Sequence, residues 1–82
     1  MARYFFDLTN GDGLVRDEQG QEMATRVAIS REVSRTLADI AREELPGRAK
    51  GAITIEVRDE GGRPIFTGHL SFRTRWHDED PA

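Results

Sequence analysis

The sequence predicts a two-layer α+β fold of order β-β-α-β-β, with one long helix packed on a four-stranded, mainly antiparallel sheet. Three observations carry this. Residues 25–45 repeat apolar side chains at helical spacing. Residues 3–9, 52–58 and 64–73 alternate apolar and polar side chains with the two-residue period of a strand. Clusters of Asn, Asp and Gly separate these stretches and supply the turns.

The helix is the best-marked element. At 100° per residue, Ile29, Val33, Leu37 and Ile40 fall within about 80° of arc and form one apolar stripe. Arg31, Arg35 and Arg42 form a second stripe, and Glu32, Asp39 and Glu43 a third. Glu32–Arg35, Arg35–Asp39 and Asp39–Arg42 have the spacing of helical ion pairs, each contributing about 0.2–0.5 kcal/mol. Thr25 is placed to cap the first turn; Ala28 in the third helical position rules out a capping box. Pro46 stops the helix and disfavours helical geometry at Leu45. Glu44 falls on the apolar arc, so the last turn is expected to fray or twist until that carboxylate reaches water.

In the first strand Tyr4, Phe6 and Leu8 share the core-facing side, and Phe5 and Asp7 the other. Residues 10–13 make a turn, 14–16 a short second strand, 17–20 another turn, and 21–24 lead into the helix. Residues 47–51 form a basic loop. Ile53, Ile55 and Val57 face the core in the third strand; Thr54, Glu56 and Arg58 face away. In the fourth, Phe66, Leu70 and Phe72 face the core, and Ile65, Thr67, His69, Ser71 and Arg73 the opposite side. Trp76 continues the apolar phase. A right-handed crossover through the helix gives the sheet order 2-1-3-4. Phe6→Ala and Ile40→Ala are each expected to remove several kcal/mol. The stretch Val15-Arg16-Asp17-Glu18-Gln19-Gly20 nearly returns as Val57-Arg58-Asp59-Glu60-Gly61-Gly62. Six residues are too few to carry a duplication, and the same turn chemistry used twice explains them.

Length and composition bound the function. Eighty-two residues make one domain, taken as residues 1–76, followed by an acidic tail at 77–82 read as disordered. With no Cys there is neither a disulfide framework nor thiolate chemistry. A net charge of −3 disfavours a nucleic-acid or anionic-membrane binder. No apolar run reaches membrane-spanning length, and the N-terminus lacks the plan of a signal peptide, so a cytoplasmic protein is expected.

Four segments carry a resemblance. They are Arg3-Tyr4-Phe5-Phe6-Asp7, Arg16-Asp17-Glu18 with Gly20 and Glu22, Glu43-Glu44-Leu45-Pro46, and Ile55-Glu56-Val57-Arg58-Asp59-Glu60 with Gly62-Arg63-Pro64. Together the chain from Arg3 to about Phe72 resembles a family of small proteobacterial proteins, a domain of unknown function abundant in rhizobia and their relatives. The resemblance implies a bacterial, cytosolic, single-domain protein. It brings no activity, ligand or functional residue. Where family members often carry Asp before the helix, this chain has Thr25, which caps as well.

Candidate chemistry is thin. His69 and Ser71 share a strand face on which Asp7 or Glu56 could orient the imidazole, but no strained nucleophile elbow is visible. Asp7, Asn10, Asp12, Asp17, Glu18 and Glu22 make one end oxygen-rich, but their spacing does not match a calcium loop. The two His lack the partners of a zinc site. The sequence therefore assigns no catalytic residue, metal or cofactor, and the protein is read as a non-enzyme. The expected interaction surface is the sheet face away from the helix: Phe5, Arg58, Ile65, His69 and Arg73. Exposed apolar groups and edges there, with a small core, point to a homodimer. The alternative is a small regulatory nucleic-acid binder that stacks bases on this face, with Arg58, Arg73 and the helix arginines on phosphates.

Overall fold

The computed structural model describes residues 1–78, so the expected acidic tail lies outside the described residues from position 79 onward. In chain order the elements are β1 (Ala2–Asn10), β2 (Gly13–Val15), β3 (Gln21–Met23), α1 (Arg26–Glu44), β4 (Lys50–Arg58) and β5 (Pro64–Arg73). The fold is α+β, with one helix on an antiparallel sheet. The sheet order is β2-β1-β4-β5, which is the expected order. The sheet has a fifth strand that the sequence reading took as a lead-in: β3 pairs with the start of β1, Ala2 opposite Met23 and Tyr4 opposite Gln21. Three residues are too few to show a two-residue period, and so β3 left no legible pattern.

The helix ends were readable because both caps are local. Thr25 is extended, and its hydroxyl accepts from the Ala28 amide at 3.0 Å. At the other end Leu45 keeps right-handed helical geometry, against expectation, and its amide donates to the Ala41 carbonyl at 3.0 Å. Pro46 disfavours that geometry without forbidding it, and the extra hydrogen bond outweighs the preference. Nor does the last turn fray. Glu44 stays half-buried because Asn10 Nδ2, at the end of β1, donates to its carboxylate at 3.2 Å. Of the three expected ion pairs on α1, Glu32–Arg35 and Asp39–Arg42 form.

The core is one cluster of Ile29, Val33 and Leu37 from α1 with Ile53, Ile55 and Val57 from β4. Tyr4, Phe6, Leu8, Ile40 and Leu70 are only half-buried around it. Truncation of Ile53, Ile55 or Val57 thus opens more buried space than truncation of Phe6 or Ile40. The reason is where α1 lies. It packs chiefly on β5 and β4 and leaves much of the β1–β2 side uncovered, so Leu14 and Val15 are exposed. Trp76, beyond the end of β5, is 77% exposed and does not join the core.

One residue fixes the helix height. Gly68 stands opposite Ile55 on the core side, directly under α1. A Cβ there would overlap Val33 Cγ1 and come within 3.2 Å of Leu37 Cδ1. The missing side chain lets the helix approach the margin of the sheet closely.

Gly68→Ala should therefore lower stability by about 1–3 kcal/mol, the usual range for an overfilled core. Urea unfolding measures it. The double variant Gly68→Ala with Val33→Ala should lose less than the sum of the two single losses, because each change relieves the other.

Candidate interaction surface

The face away from α1 is built around Arg58. The β1–β4 register places Phe5 opposite Arg58 and Asp7 opposite Glu56. Two carboxylates directly opposite each other repel, and Arg58 supplies the counter-charge. Its Nε donates to Asp7 Oδ2 at 2.8 Å and its Nη2 to the Asp17 carbonyl at 2.7 Å. The guanidinium also stacks on the Phe5 ring, 4.7 Å from the centroid. The Asp7 and Arg58 side chains are each only 14% exposed.

Asp17 completes the cluster from the loop between β2 and β3. Its amide donates to Asp7 Oδ1 at 2.9 Å. Its carboxylate accepts from the Phe6 amide at 3.0 Å and from the amides of Gln19 and Gly20. Gly20 has a φ of +74°, and a Cβ there would strike the Tyr4 carbonyl at 2.8 Å, so only Gly lets the loop close against β1. Asp59 plays the corresponding part after β4, accepting from the amides of Gly61 and Arg63 at 2.9 and 3.0 Å. The near-repeat in the sequence is thus one turn chemistry used twice.

Burial is the largest influence on the Asp7 carboxyl and raises its pKa. The Arg58 hydrogen bond, the Asp17 amide and the charges of Arg58 and Arg16 together outweigh it, and Asp7 sits below the ordinary carboxylate range. Asp17 behaves alike. Burial raises it, and the amides of Phe6, Gly20 and Gln19 with the Arg58 charge bring it below the ordinary range.

The five expected surface residues therefore part company. Phe5 and Arg58 are half-buried against each other. Ile65, expected on this face, packs against the core instead. The β4–β5 register slips between Val57 and Arg58, pairing them with Phe66 and Pro64, so Ile65 is the extra residue of a bulge and loses its alternation. His69 and Arg73 are exposed on β5, as expected. His69 Nδ1 lies 2.7 Å from the Thr54 hydroxyl, not beside a carboxylate, and Asp7 is held by Arg58. Among the described residues the arrangement does not bring His69 and Ser71 together with Asp7 or Glu56 as a Ser–His–acid set. Among the described residues no three His, Asp or Glu side chains converge as metal ligands, and no helix is long and apolar enough to cross a membrane.

What distinguishes the surface is β5 as a free edge. The Thr74 amide donates to the Ala49 carbonyl, which fixes the phase of the antiparallel ladder. Above the bulge, even-numbered residues bond inward to β4, and Thr67, His69, Ser71 and Arg73 turn their backbone groups outward. From Ile65 to Phe72 this edge carries no Lys, Arg, Asp or Glu. The opposite edge is short and broken by the loop holding Arg16, Asp17 and Glu18.

Fold and surface together define a small single-helix α+β domain with one blocked and one unguarded sheet edge. The chain belongs to the family described as a domain of unknown function (DUF6894), which it matches over residues 3–71. No curated protein and no solved structure matches it.

Asp7 and Asp17 have folded pKa values below those of the unfolded chain, about 3.9 for Asp. Their contribution is complete above that range and is lost as pH falls through the folded values. The urea midpoint should stay level from neutral pH to about 5 and drop below about 4. Asp17→Asn should lower the plateau by about 1–3 kcal/mol and flatten the acid limb.

Proposed function

We propose that this domain is a non-catalytic interaction module of the bacterial cytoplasm that self-associates through β5. The observation that carries the reading is the uncharged free edge from Ile65 to Phe72, whose outward backbone groups have no partner strand among the described residues. Natural sheets guard such edges with charges, Pro or bulges. Here Pro64 and the adjoining bulge guard one end and Arg73 the other, and the middle is bare. A second copy related by a twofold axis normal to the sheet pairs β5 with β5 antiparallel and places both helices on one face. Phe66, 36% exposed, and the half-buried Leu70 and Phe72 then meet their counterparts.

Weighing against the nucleic-acid alternative, Phe5 and Arg58 are engaged with each other, and Asp7, Asp17 and Glu56 share their face.

Sedimentation equilibrium at high micromolar concentration should give twice the 9.3 kDa of one chain. Ser71→Pro removes one outward amide and leaves the β4 ladder intact, and Thr67→Lys adds a charge to the edge. Both variants should be folded monomers. A monomeric parent chain, or dimers unaffected by both changes, overturns the proposal.

A further inference from the structure

A second feature lies where the sheet ends, beside the turn between β1 and β2. A concavity of about 620 Å³ there is lined by Arg48, Lys50 and Arg73, with Ser71, Ala52, Phe72 and the glycines Gly11 and Gly51. We infer that it is an anion site for a di- or triphosphate group.

Three observations carry this. First, among the described residues the lining holds three cations and no carboxylate, in a chain whose net charge is −3. Among the described residues the ion pairs engage Arg3, Arg35, Arg42 and Arg58, so none of these three cations has a carboxylate within bonding distance. Second, Lys50 and Arg73 stand directly opposite each other across β4 and β5. Like charges in that register repel, and a bound anion between them reverses the sign of the interaction. Third, Arg48 reaches the same hollow from the loop before β4, its Nη1 3.6 Å from the place a Cβ would take on Gly11, so a third cation from a different segment joins the Lys50–Arg73 pair.

The charge count selects the ligand class. A carboxylate would neutralise one of three cations. A chain of two or three phosphoryl groups carries about three or four negative charges and offers acceptors to all three, with the Ser71 hydroxyl as a further donor. A nucleic-acid strand fits less well, because the face beyond Ser71 leads to Glu56 and Asp7, which repel phosphodiesters. The site does not rest on self-association.

Tripolyphosphate titrated at low salt is the probe. Saturable binding is expected, one ligand per chain by calorimetry, with amide shifts confined to residues 10–12, 48–51 and 71–74 by NMR. Lys50→Gln and Arg73→Gln should each weaken binding about tenfold or more, and Arg31→Gln, on the helix, should not. All three positions are exposed, so circular dichroism should show intact folds. Tighter binding of ATP than of tripolyphosphate assigns the site to nucleotides; equal binding assigns it to the phosphate chain alone. Non-saturating shifts spread over all the arginines, or binding indifferent to Lys50→Gln and Arg73→Gln, overturns the inference.

Discussion

Arg58 is the point at which three separate parts of the chain are fastened. Its guanidinium holds the Asp7 carboxylate on β1 and the Asp17 carbonyl in the loop after β2, and it lies over the Phe5 ring. Charges this sheltered are costly unless paired and hydrogen-bonded, and this group meets both conditions. The consequence is geometric. Asp17 can accept from the Phe6 amide only while the loop stays folded against β1, and that fold keeps β2 and β3 on register with the two ends of β1. The helix organises the apolar side of the sheet, and Arg58 organises the polar side.

The two layers differ in how far they could be read in the sequence. Most of what is periodic or local is legible in the sequence, Leu45 and Trp76 being the exceptions. The stripe of Ile29, Val33 and Leu37, the Thr25 cap, and the alternation of Ile53, Ile55 and Val57 each announce themselves within a few residues. What was not legible depends on distance or on a break in period. Asp7 and Arg58 are 51 residues apart, and nothing in either neighbourhood states that they meet. Ile65 was placed on the wrong face because alternation was carried through a bulge, and a bulge has no reliable mark beyond the Pro at its edge. Glu44 read as a conflict because its partner, Asn10, comes from the far end of the first strand. Of the expected surface residues His69 and Arg73 keep their place, while Arg48 and Lys50 were noticed only as a basic loop.

The charge pattern of the surface follows from this division. Acidic groups collect around the turns near Asp17 and Asp59, where their carboxylates bind backbone amides. Among the described residues Arg48, Lys50 and Arg73 have no carboxylate within bonding distance, and they gather beside the β1–β2 turn, while β5 from Ile65 to Phe72 carries no charge.

The same arrangement sets the order in which the chain can complete itself. β4 and β5 are joined by a five-residue turn and make the most extensive strand contact, so their hairpin closes locally. β1 is among the first segments made, yet the strand that fills its inner edge ends at Arg58, near the last third of the chain. Until Arg58 has left the ribosome, Asp7 lacks its hydrogen-bonded partner and β1 keeps one side open. Folding of the N-terminal half thus waits on the C-terminal half, and a chain cut anywhere before the end of β5 leaves its sheet incomplete.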